Sequence, residues 1–319
     1  TLDGFNLALP RGTGIATYAR TLSHALKNMS ARVDILYGFD IPDRTPPALQ
    51  EVLFYENLGD EEPKKNTVFM SDRWKQRCKS IAFGCRAHAI MPSALVDGRS
   101  FRERMPAHDQ ILNARDLFLA AARCYRTTGR FLTVELPETP DIMHWTYPCP
   151  IRAKGARNIY TIHDLVPLQL PHTTRDNKGY YLRLIGDIAK NAEAICTVSE
   201  TSKAAIGALF PDATSRIHNT YQTPYLPSDC LTPDEDMIKH ALKHMLDLNW
   251  NEDYLFYGSL EPKKNIGRIL EAVLSSSIDR PLVIVSAMAW KVTGELRLLD
   301  HGVKTGRILL LDYLSQSVL

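Results

Sequence analysis

The sequence predicts an α/β protein made of two Rossmann-like domains, each with a doubly wound parallel sheet. Its length of 319 residues suits about two domains. Short apolar segments alternate with segments of helical periodicity, which indicates parallel sheets covered by helices on both faces. The alternation restarts after residues 222–235, which are rich in Pro, Ser and Asp and are typical of a linker. We therefore predict domains at 1–225 and 226–319, the second of them incomplete.

The elements of the first domain are predicted from hydrophobic spacing. Ile15, Tyr18, Leu22 and Leu26 recur at helical intervals and predict the first helix, whereas short apolar runs predict strands. The predicted strands are 2–7, 33–37, 142–145, 158–162, 194–198 and 216–221. The predicted helices are 15–29, 109–126, 178–191 and 201–210. Residues 42–73 are Pro-rich and charged and receive no assignment.

The second domain shows the same alternation over a shorter length. Its predicted helices are 236–246, 265–275 and 291–300, and its predicted strands are 254–257, 281–285 and 307–311. The 89 residues from 231 to 319 suffice for about three strand–helix units, whereas a complete domain of this type has about six strands. We therefore expect the native chain to continue past Leu319.

Composition excludes several classes of protein. With 38 Lys and Arg against 36 Asp and Glu, the net charge of +2 argues against a nucleic-acid-binding protein. No apolar stretch approaches the ~18–20 residues of a membrane span, and the N-terminus has no signal-peptide pattern. The six cysteines lack the CxxC spacing of a zinc site or a disulfide framework. We expect a cytoplasmic protein with free thiols and no metal cofactor.

A glycine turn, Gly12-Thr13-Gly14, separates the first predicted strand from the first helix. Glycines at this position let backbone N–H groups and a helix N-terminus approach an anion, usually a phosphate. A tight turn that needs positive φ is the alternative reading. A dinucleotide fingerprint would need a third glycine where Thr17 stands, so a nicotinamide enzyme is disfavoured.

Two polar pairs come directly after predicted strands of the first domain. His163 and Asp164 come after a buried strand, where a histidine can donate to a substrate oxygen or act as a general acid or base. The alternative is a hydrogen bond within the loop, with Asp164 capping the next segment of the chain. Ser199 and Glu200 come after the next strand, and there a helix N-cap is the favoured reading of Ser199 over a ligand contact.

The segment 258–265, GSLEPKKN, is the strongest candidate for a binding site. It lies between a strand and an apolar helix, so a glycine turn, Lys263, Lys264 and a helix N-terminus concentrate positive charge at one point. This combination suits a diphosphate. Solvated lysines in a loop are the alternative, which is weakened because the lysines open an apolar helix.

Taken in order, these segments resemble the retaining glycosyltransferases of family 4, the group 1 transferases of the GT-B fold. The resemblance runs along nearly the whole chain, through GTGI, HDLVPLQLP, ICTVSETSK, YGSLEPKKNIGRILEAV and RILLLDYLS. It implies an acceptor-binding N-terminal domain and a C-terminal domain that binds a nucleotide sugar, with the active site in the cleft between them. It also implies that Gly12 to Gly14 approach the donor phosphates.

The resemblance further implies roles for individual side chains. It places His163 by the transferred sugar and Lys264 on the diphosphate. We therefore predict His163 and Asp164 as catalytic residues, with Ser259 and Lys263 as further diphosphate contacts. Possible substrate contacts are Ser199, Glu200 and Glu261. Many members carry an arginine where Ser259 stands, so one cation is missing here. The Glu-x7-Glu motif of the family would lie beyond Leu319, and we expect residues 1–319 alone to lack full activity.

The expected reaction moves a hexose, such as mannose, from a GDP- or UDP-sugar to a saccharide or lipid-linked acceptor, as in polysaccharide or lipopolysaccharide biosynthesis. The nucleotide sugar is a substrate, so no cofactor is expected, and no Asp-x-Asp pair flanks the candidate residues to bind a metal. Two alternatives remain: a non-catalytic GT-B module and a GT-B sugar-nucleotide epimerase. The basic segment 99–104 allows peripheral contact with the inner face of the cell membrane, although a solvated loop is favoured.

Overall fold

A computed structural model describes residues 1–9, 14–42, 44–59, 84–93, 95–102, 104–223, 234–286 and 293–311. The chain forms two compact units. The first consists of Thr1–Leu165 with Asn177–Tyr225, and the second of Val166–Asp176 with Leu226–Leu319. The acceptor and donor roles predicted for domains 1–225 and 226–319 stay predictions.

The first unit is built on an eight-stranded sheet with the order β11-β10-β9-β7-β1-β2-β5-β4, parallel except for the pair β4–β5. A smaller parallel sheet has the order β3-β6-β8. The strands are β1 Leu2–Asp3, β2 Asp34–Tyr37, β3 Cys85–Arg86, β4 His88–Ile90, β5 Gln110–Asn113, β6 Leu132–Glu135, β7 Ile142–Trp145, β8 Ile151–Ala153, β9 Arg157–Thr161, β10 Ala194–Thr197 and β11 Ile217–Asn219.

Helices pack on this sheet through their apolar faces. They are α1 Gly14–Asn28, α2 Pro47–Gly59, α3 Leu117–Thr128, α5 Lys178–Asn191 and α6 Glu200–Leu209, while the short helix α4, Val166–Gln169, lies in the segment grouped with the second unit. Ala16 and Ala19 of α1 and Phe54 of α2 pack against Ile35 and Tyr37 of β2 in one buried cluster. Because the strands at the centre of a parallel sheet are covered on both faces, β2 is buried at all four positions.

The second unit contains a three-stranded parallel sheet of order β12-β13-β14. Its elements are α7 Glu235–Leu246, β12 Tyr254–Tyr257, α8 Ile266–Ser275, β13 Leu282–Val285, α9 Thr293–Lys304 and β14 Ile308–Leu311. The central strand β13 is buried throughout, and Ile266 and Leu270 of α8 pack against its face in a cluster with Ile308. From β12 onward, the order of elements is thus strand, helix, strand, helix, strand.

The predicted helix 109–126 is wrong at its start. Residues Gln110–Asn113 form strand β5 beside β2, and the helix begins at Leu117, after Asp116 adopts a left-handed conformation (φ 53°). The first strand is also shorter than predicted, since β1 ends at Asp3. Helix α2 lies in the segment left unassigned. The other predicted elements match the structure to within a few residues.

The helices and the ionisable side chains of the described ranges bear on function in two ways. Among these helices, none combines the length and apolar character that a bilayer crossing requires. Over the same ranges, no three His, Cys, Asp or Glu side chains gather closely enough to hold a metal ion.

Candidate functional site

The carboxyl ends of four strands in the first unit carry a connected set of polar groups. Asp3 ends β1, Thr146 comes directly after β7, His163 lies just beyond β9 and Ser199 just beyond β10. Ligands of open parallel sheets bind beyond these strand ends. The structure therefore brings together at one edge the residues that the sequence singled out after separate strands, and it adds Asp3 and Thr146.

His163 lies at the centre of this set. Its Nε2 is 2.9 Å from the carbonyl oxygen of Thr146, and its Nδ1 is 3.4 Å from the side-chain amide of Gln222. The ring of Tyr18 packs edge-on against it with a centroid distance of 5.1 Å. The carbonyl oxygen of His163 also accepts a hydrogen bond from the Ser202 hydroxyl at 2.8 Å, so both its ring and its backbone are held.

These contacts determine which nitrogen of His163 carries the proton. A backbone carbonyl can only accept, so Nε2 donates to Thr146 and the neutral ring keeps a lone pair on Nδ1. Burial lowers the pKa of His163, whereas the hydrogen bond to Thr146 and the charge of Asp164 oppose that change. At neutral pH, His163 thus offers an acceptor at Nδ1, which suits a hydroxyl group that donates to it.

Asp3 is a buried carboxylate connected to His163 through Thr146. It is 0% exposed and accepts hydrogen bonds from the Phe5 amide (3.1 Å), the Thr146 amide and the Thr146 hydroxyl (2.8 Å). Burial raises the pKa of Asp3, and the hydrogen bonds from Thr146 and Phe5 act against this. Thr146 is itself 0% exposed, so the carboxylate holds in place the residue whose carbonyl binds His163.

The other candidate residues of this edge have structural partners. Ser199 is the N-cap of α6 and accepts from the Ser202 amide at 3.1 Å, in agreement with the reading that the sequence favoured. Glu200 accepts from the Asn219 side chain at 2.8 Å. Asp164 is exposed, and its backbone carbonyl accepts from the Tyr181 hydroxyl at 2.8 Å.

The glycine turn is described in part, since Gly12 and Thr13 lie outside the described residues. Gly14 is the first residue of α1. It does not have positive φ, and a β-carbon added there would meet nothing within 4 Å. Neither backbone conformation nor packing in the described part of the chain therefore requires glycine at this helix N-terminus.

In the second unit, segment 258–265 connects β12 to α8. Gly258 has φ 137° and its amide donates to Val285 at the end of β13, which keeps the loop at the carboxyl end of the sheet. Pro262 to Lys264 form one turn of 3₁₀ helix, and Asn265 (φ 56°) redirects the chain into α8. Only Asn265 therefore lies between Lys264 and the first residue of α8.

The charges of this segment are unequally compensated. Glu261 accepts a hydrogen bond from Ser259 at 2.7 Å and forms an ion pair with Lys263 at 2.9 Å. Burial alone would raise the pKa of Glu261, but Ser259 and the two lysines lower it below its ordinary value. Lys263 and Glu261 therefore largely cancel, and Lys264 contributes the net positive charge beside the N-terminus of α8.

Sequence reasoning missed Asp3, Thr146, Tyr18 and Gln222. Thr146 comes directly after a predicted strand, so the rule that ligands gather at strand ends would have found it. Asp3 was hidden within a strand predicted to run to residue 7. Tyr18 was identified as an apolar helix position, and nothing in the sequence connects Gln222 with His163.

Comparison with known proteins finds a similarity to a sugar-transferring enzyme. No protein-family model matches the chain. A curated relative, O-antigen chain mannosyltransferase B of Escherichia coli, is 26% identical over 168 residues. This match covers 49% of the present chain and 42% of the relative, so the chain matches less than half of that protein's length.

The chain is also similar in structure to solved proteins. A sucrose-phosphate synthase from Thermosynechococcus elongatus matches with a TM-score of 0.53 and 14% identity, covering 98% of this chain and 70% of that protein. Anabaena HepE in complex with UDP reaches a TM-score of 0.48 at 10% identity, with 98% and 68% coverage. The first of these likenesses supports the predicted architecture: the chain has the Rossmann-like GT-B fold.

Proposed function

We propose that the protein is a retaining glycosyltransferase that transfers a hexose from a nucleotide sugar to an acceptor hydroxyl. The GT-B fold and the likeness to a mannosyltransferase support this proposal. The family 4 resemblance of the strand-end motifs supports retention of configuration.

One observation carries the proposal: the charge arrangement at the carboxyl end of β12. Lys264, the backbone N–H groups at the start of α8 and the open turn at Gly258 belong to the same loop, while Lys263 is paired with Glu261. A helix N-terminus with an adjacent ammonium group is a ready-made site for a phosphate. We assign the donor diphosphate to this segment, with Ser259 and Lys263 at its margin.

The first unit supplies groups that suit the sugar and the phosphates. The lone pair on Nδ1 of His163 accepts a hydrogen bond from a hydroxyl of the transferred hexose in this proposal, in place of the long contact with Gln222. We assign Gly12, Thr13 and Gly14 to the donor phosphates as well, since Gly14 is exposed and is the first residue of α1. Asp164, Ser199 and Glu200 are held by backbone or side-chain partners and serve at most as secondary contacts.

The proposed reaction proceeds on one face of the sugar. The bond between the anomeric carbon and the diphosphate oxygen breaks, the acceptor oxygen bonds to the same face of that carbon, and the acceptor proton passes to the departing diphosphate. Donors that are already oriented toward the developing negative charge make the largest contribution to catalysis of this kind. Lys264 and the start of α8 have that role, and the route requires neither a cofactor nor a metal.

The proposed donor is a GDP- or UDP-hexose, with GDP-mannose as the first choice because the curated relative is a mannosyltransferase. The proposed acceptor is a saccharide or a lipid-linked saccharide, since that relative acts on an O-antigen chain by its name. We place the reaction in polysaccharide or lipopolysaccharide biosynthesis on the cytoplasmic side of the membrane.

The test is a screen of the complete protein against a panel of nucleotide sugars, with and without saccharide acceptors, that measures the released nucleoside diphosphate. We expect acceptor-dependent release from one donor and a product that keeps the anomeric configuration of that donor by NMR. Binding of nucleotide without release would favour a non-catalytic module, and interconversion of the sugar without an acceptor would favour an epimerase.

A further inference from the structure

We infer that Asp3 is a positioning residue for the proposed sugar transfer, acting on His163 through Thr146. This inference rests on the proposed function and adds a residue that neither the sequence motifs nor the family resemblance assigned. It starts from a buried carboxylate at the carboxyl end of the central strand β1, between β7 and β2.

A fully buried carboxylate is costly unless donors surround it. The donors to Asp3 are two backbone amides and one hydroxyl, all of them uncharged, and two of the three come from Thr146. An apolar residue would avoid this cost, but it would leave the Thr146 and Phe5 amides without their acceptor, so the carboxylate serves to hold these donors. What the carboxylate achieves is to fix both the amide and the side chain of Thr146.

Thr146 passes this constraint to His163. Its carbonyl oxygen accepts from Nε2 at 2.9 Å, which holds the ring in the form with the proton on Nε2 and the lone pair on Nδ1. The other neighbours do not fix the proton: Tyr18 presents a ring edge, and the Gln222 amide can turn to offer either nitrogen or oxygen. The tautomer of His163 therefore depends on where Thr146 is held.

The substitution Asp3→Leu tests this chain of contacts. Both hydrogen bonds from Thr146 end on the same carboxylate oxygen, so an asparagine could keep them with its one oxygen, whereas a leucine keeps the branched shape and has no acceptor. We measure the ¹⁵N NMR signals of the His163 ring, which distinguish protonated from unprotonated nitrogens without any substrate. In the wild-type protein we expect protonation on Nε2, and in Asp3→Leu a mixture of the two tautomers. An unchanged signature in a folded Asp3→Leu protein would overturn the inference.

Thr146 provides a second pair of variants should Asp3→Leu fail to fold. Thr146→Val keeps the amide bond to Asp3 and loses the hydroxyl bond, so we expect a partial shift of tautomer, and Thr146→Ser restores the wild-type signature. If Thr146→Val and Thr146→Ser both give the wild-type signals, the carboxylate does not act through Thr146 and the inference fails.

Activity measurements test the same coupling in the complete protein. We expect Asp3→Leu to lower kcat roughly tenfold with little change in KM, and to have almost no further effect when His163 is already alanine. Additive losses in the double variant would contradict action through His163. Should the wild-type protein transfer no sugar while the NMR signature still depends on Asp3, the proposed function fails and the coupling between Asp3 and His163 stands.

Discussion

Lys263 and Lys264 are adjacent lysines with different surroundings, and the proposal gives them different roles. Lys264→Ala removes the ammonium group assigned to the departing diphosphate. A charge-assisted hydrogen bond contributes about 1.5–3 kcal/mol, which corresponds to a roughly ten- to a hundredfold loss of kcat/KM. The measurement is steady-state kinetics of the complete protein with its preferred nucleotide sugar.

Lys263→Ala is the matched control, since it removes the same charge one residue away. The charge of Lys263 is already paired with that of Glu261, so it contributes little to binding of the diphosphate, and we expect a loss below about fivefold, or about 1 kcal/mol. Equal losses for both variants, or full activity of Lys264→Ala, would show that the diphosphate does not lie at the start of α8.

His163 is predicted to affect the chemical step rather than nucleotide binding, because the proposal gives its ring a hydrogen bond to the sugar and none to the diphosphate. For His163→Ala we expect a roughly tenfold lower kcat, since one hydrogen bond to the sugar is lost, with the affinity for the nucleoside diphosphate unchanged. Calorimetric titration with GDP and UDP checks the binding, and single-turnover kinetics check the chemistry. Weakened nucleotide binding with normal turnover of bound donor would contradict this role.

At the scale of elements, the two units repeat one stabilising device. In each unit, one segment consists of three strands that alternate with helices, and an arginine lies directly before the third strand. This arginine donates hydrogen bonds to the last carbonyls of the first long helix in the segment. Arg216 precedes β11 and binds the carbonyls of Ala189 and Ala192 at the end of α5. Arg307 precedes β14 and binds the carbonyls of Val273 (2.7 Å) and Ser276 at the end of α8.

We predict that Arg216→Ala lowers the free energy of unfolding by about 2–3 kcal/mol, because the variant leaves helix-terminal carbonyls without their charged donor. Arg307→Ala should cost less, since Nε of Arg307 is buried without a hydrogen-bond partner in the described structure. The control is Arg268→Ala, which removes an exposed ion pair on the surface of α8 and should cost less than about 0.5 kcal/mol. Urea unfolding measures all three, and losses from Arg216→Ala no larger than the control would refute the capping role.

Local patterns predicted the second unit more accurately than parts of the first. Strand β12 matches its predicted limits because hydrophobic spacing and flanking polar residues agree there, and in the first unit the same holds for helix α5. Residues 110–113 carry a helix-like pattern, but pairing with β2 draws them into the sheet, and the left-handed turn at Asp116 that separates them from α3 has no sequence signal. Helix α2 was obscured by nearby prolines, one of which, Pro47, is its first residue, where proline is tolerated.

The candidate site was predictable to the extent that it depends on strand ends. His163, Ser199 and segment 258–265 were found because the carboxyl ends of the strands in a parallel sheet lie at one edge of that sheet. The contacts that determine the protonation of His163 were not predictable, since Thr146 is 17 residues away along the chain and the Asp3–Thr146 pair spans 143 residues. Such contacts depend on the complete sheet rather than on any local pattern.

For the molecule as a whole, a buried histidine in the main sheet of the first unit predicts a loss of stability in mild acid. His144 lies on β7, with its Nε2 2.8 Å from the Thr161 hydroxyl, and burial, with the nearby N-terminal charge, lowers its pKa from 6.5 to about 4. The unfolded chain therefore binds more protons than the folded one between these values. Stability from His144 is fully present above pH 6.5 and is lost as the pH falls toward 4.

The loss amounts to up to about 3 kcal/mol, since one pKa unit corresponds to 1.36 kcal/mol. Asp3 acts in the opposite sense, because its pKa is raised in the folded protein and protonation of its carboxylate therefore favours the folded state as the pH falls. The contribution of His144 is therefore measured as the difference between a variant and the wild-type protein. The His144→Gln variant keeps a polar partner for Thr161 without a titrating ring. We expect the difference in unfolding free energy between this variant and the wild-type protein to move in favour of the variant by about 2–3 kcal/mol between pH 7.5 and 4.5. Urea unfolding at both pH values measures this difference in unfolding free energy. A difference that stays constant with pH would show that His144 is protonated as easily in the folded sheet as in the unfolded chain.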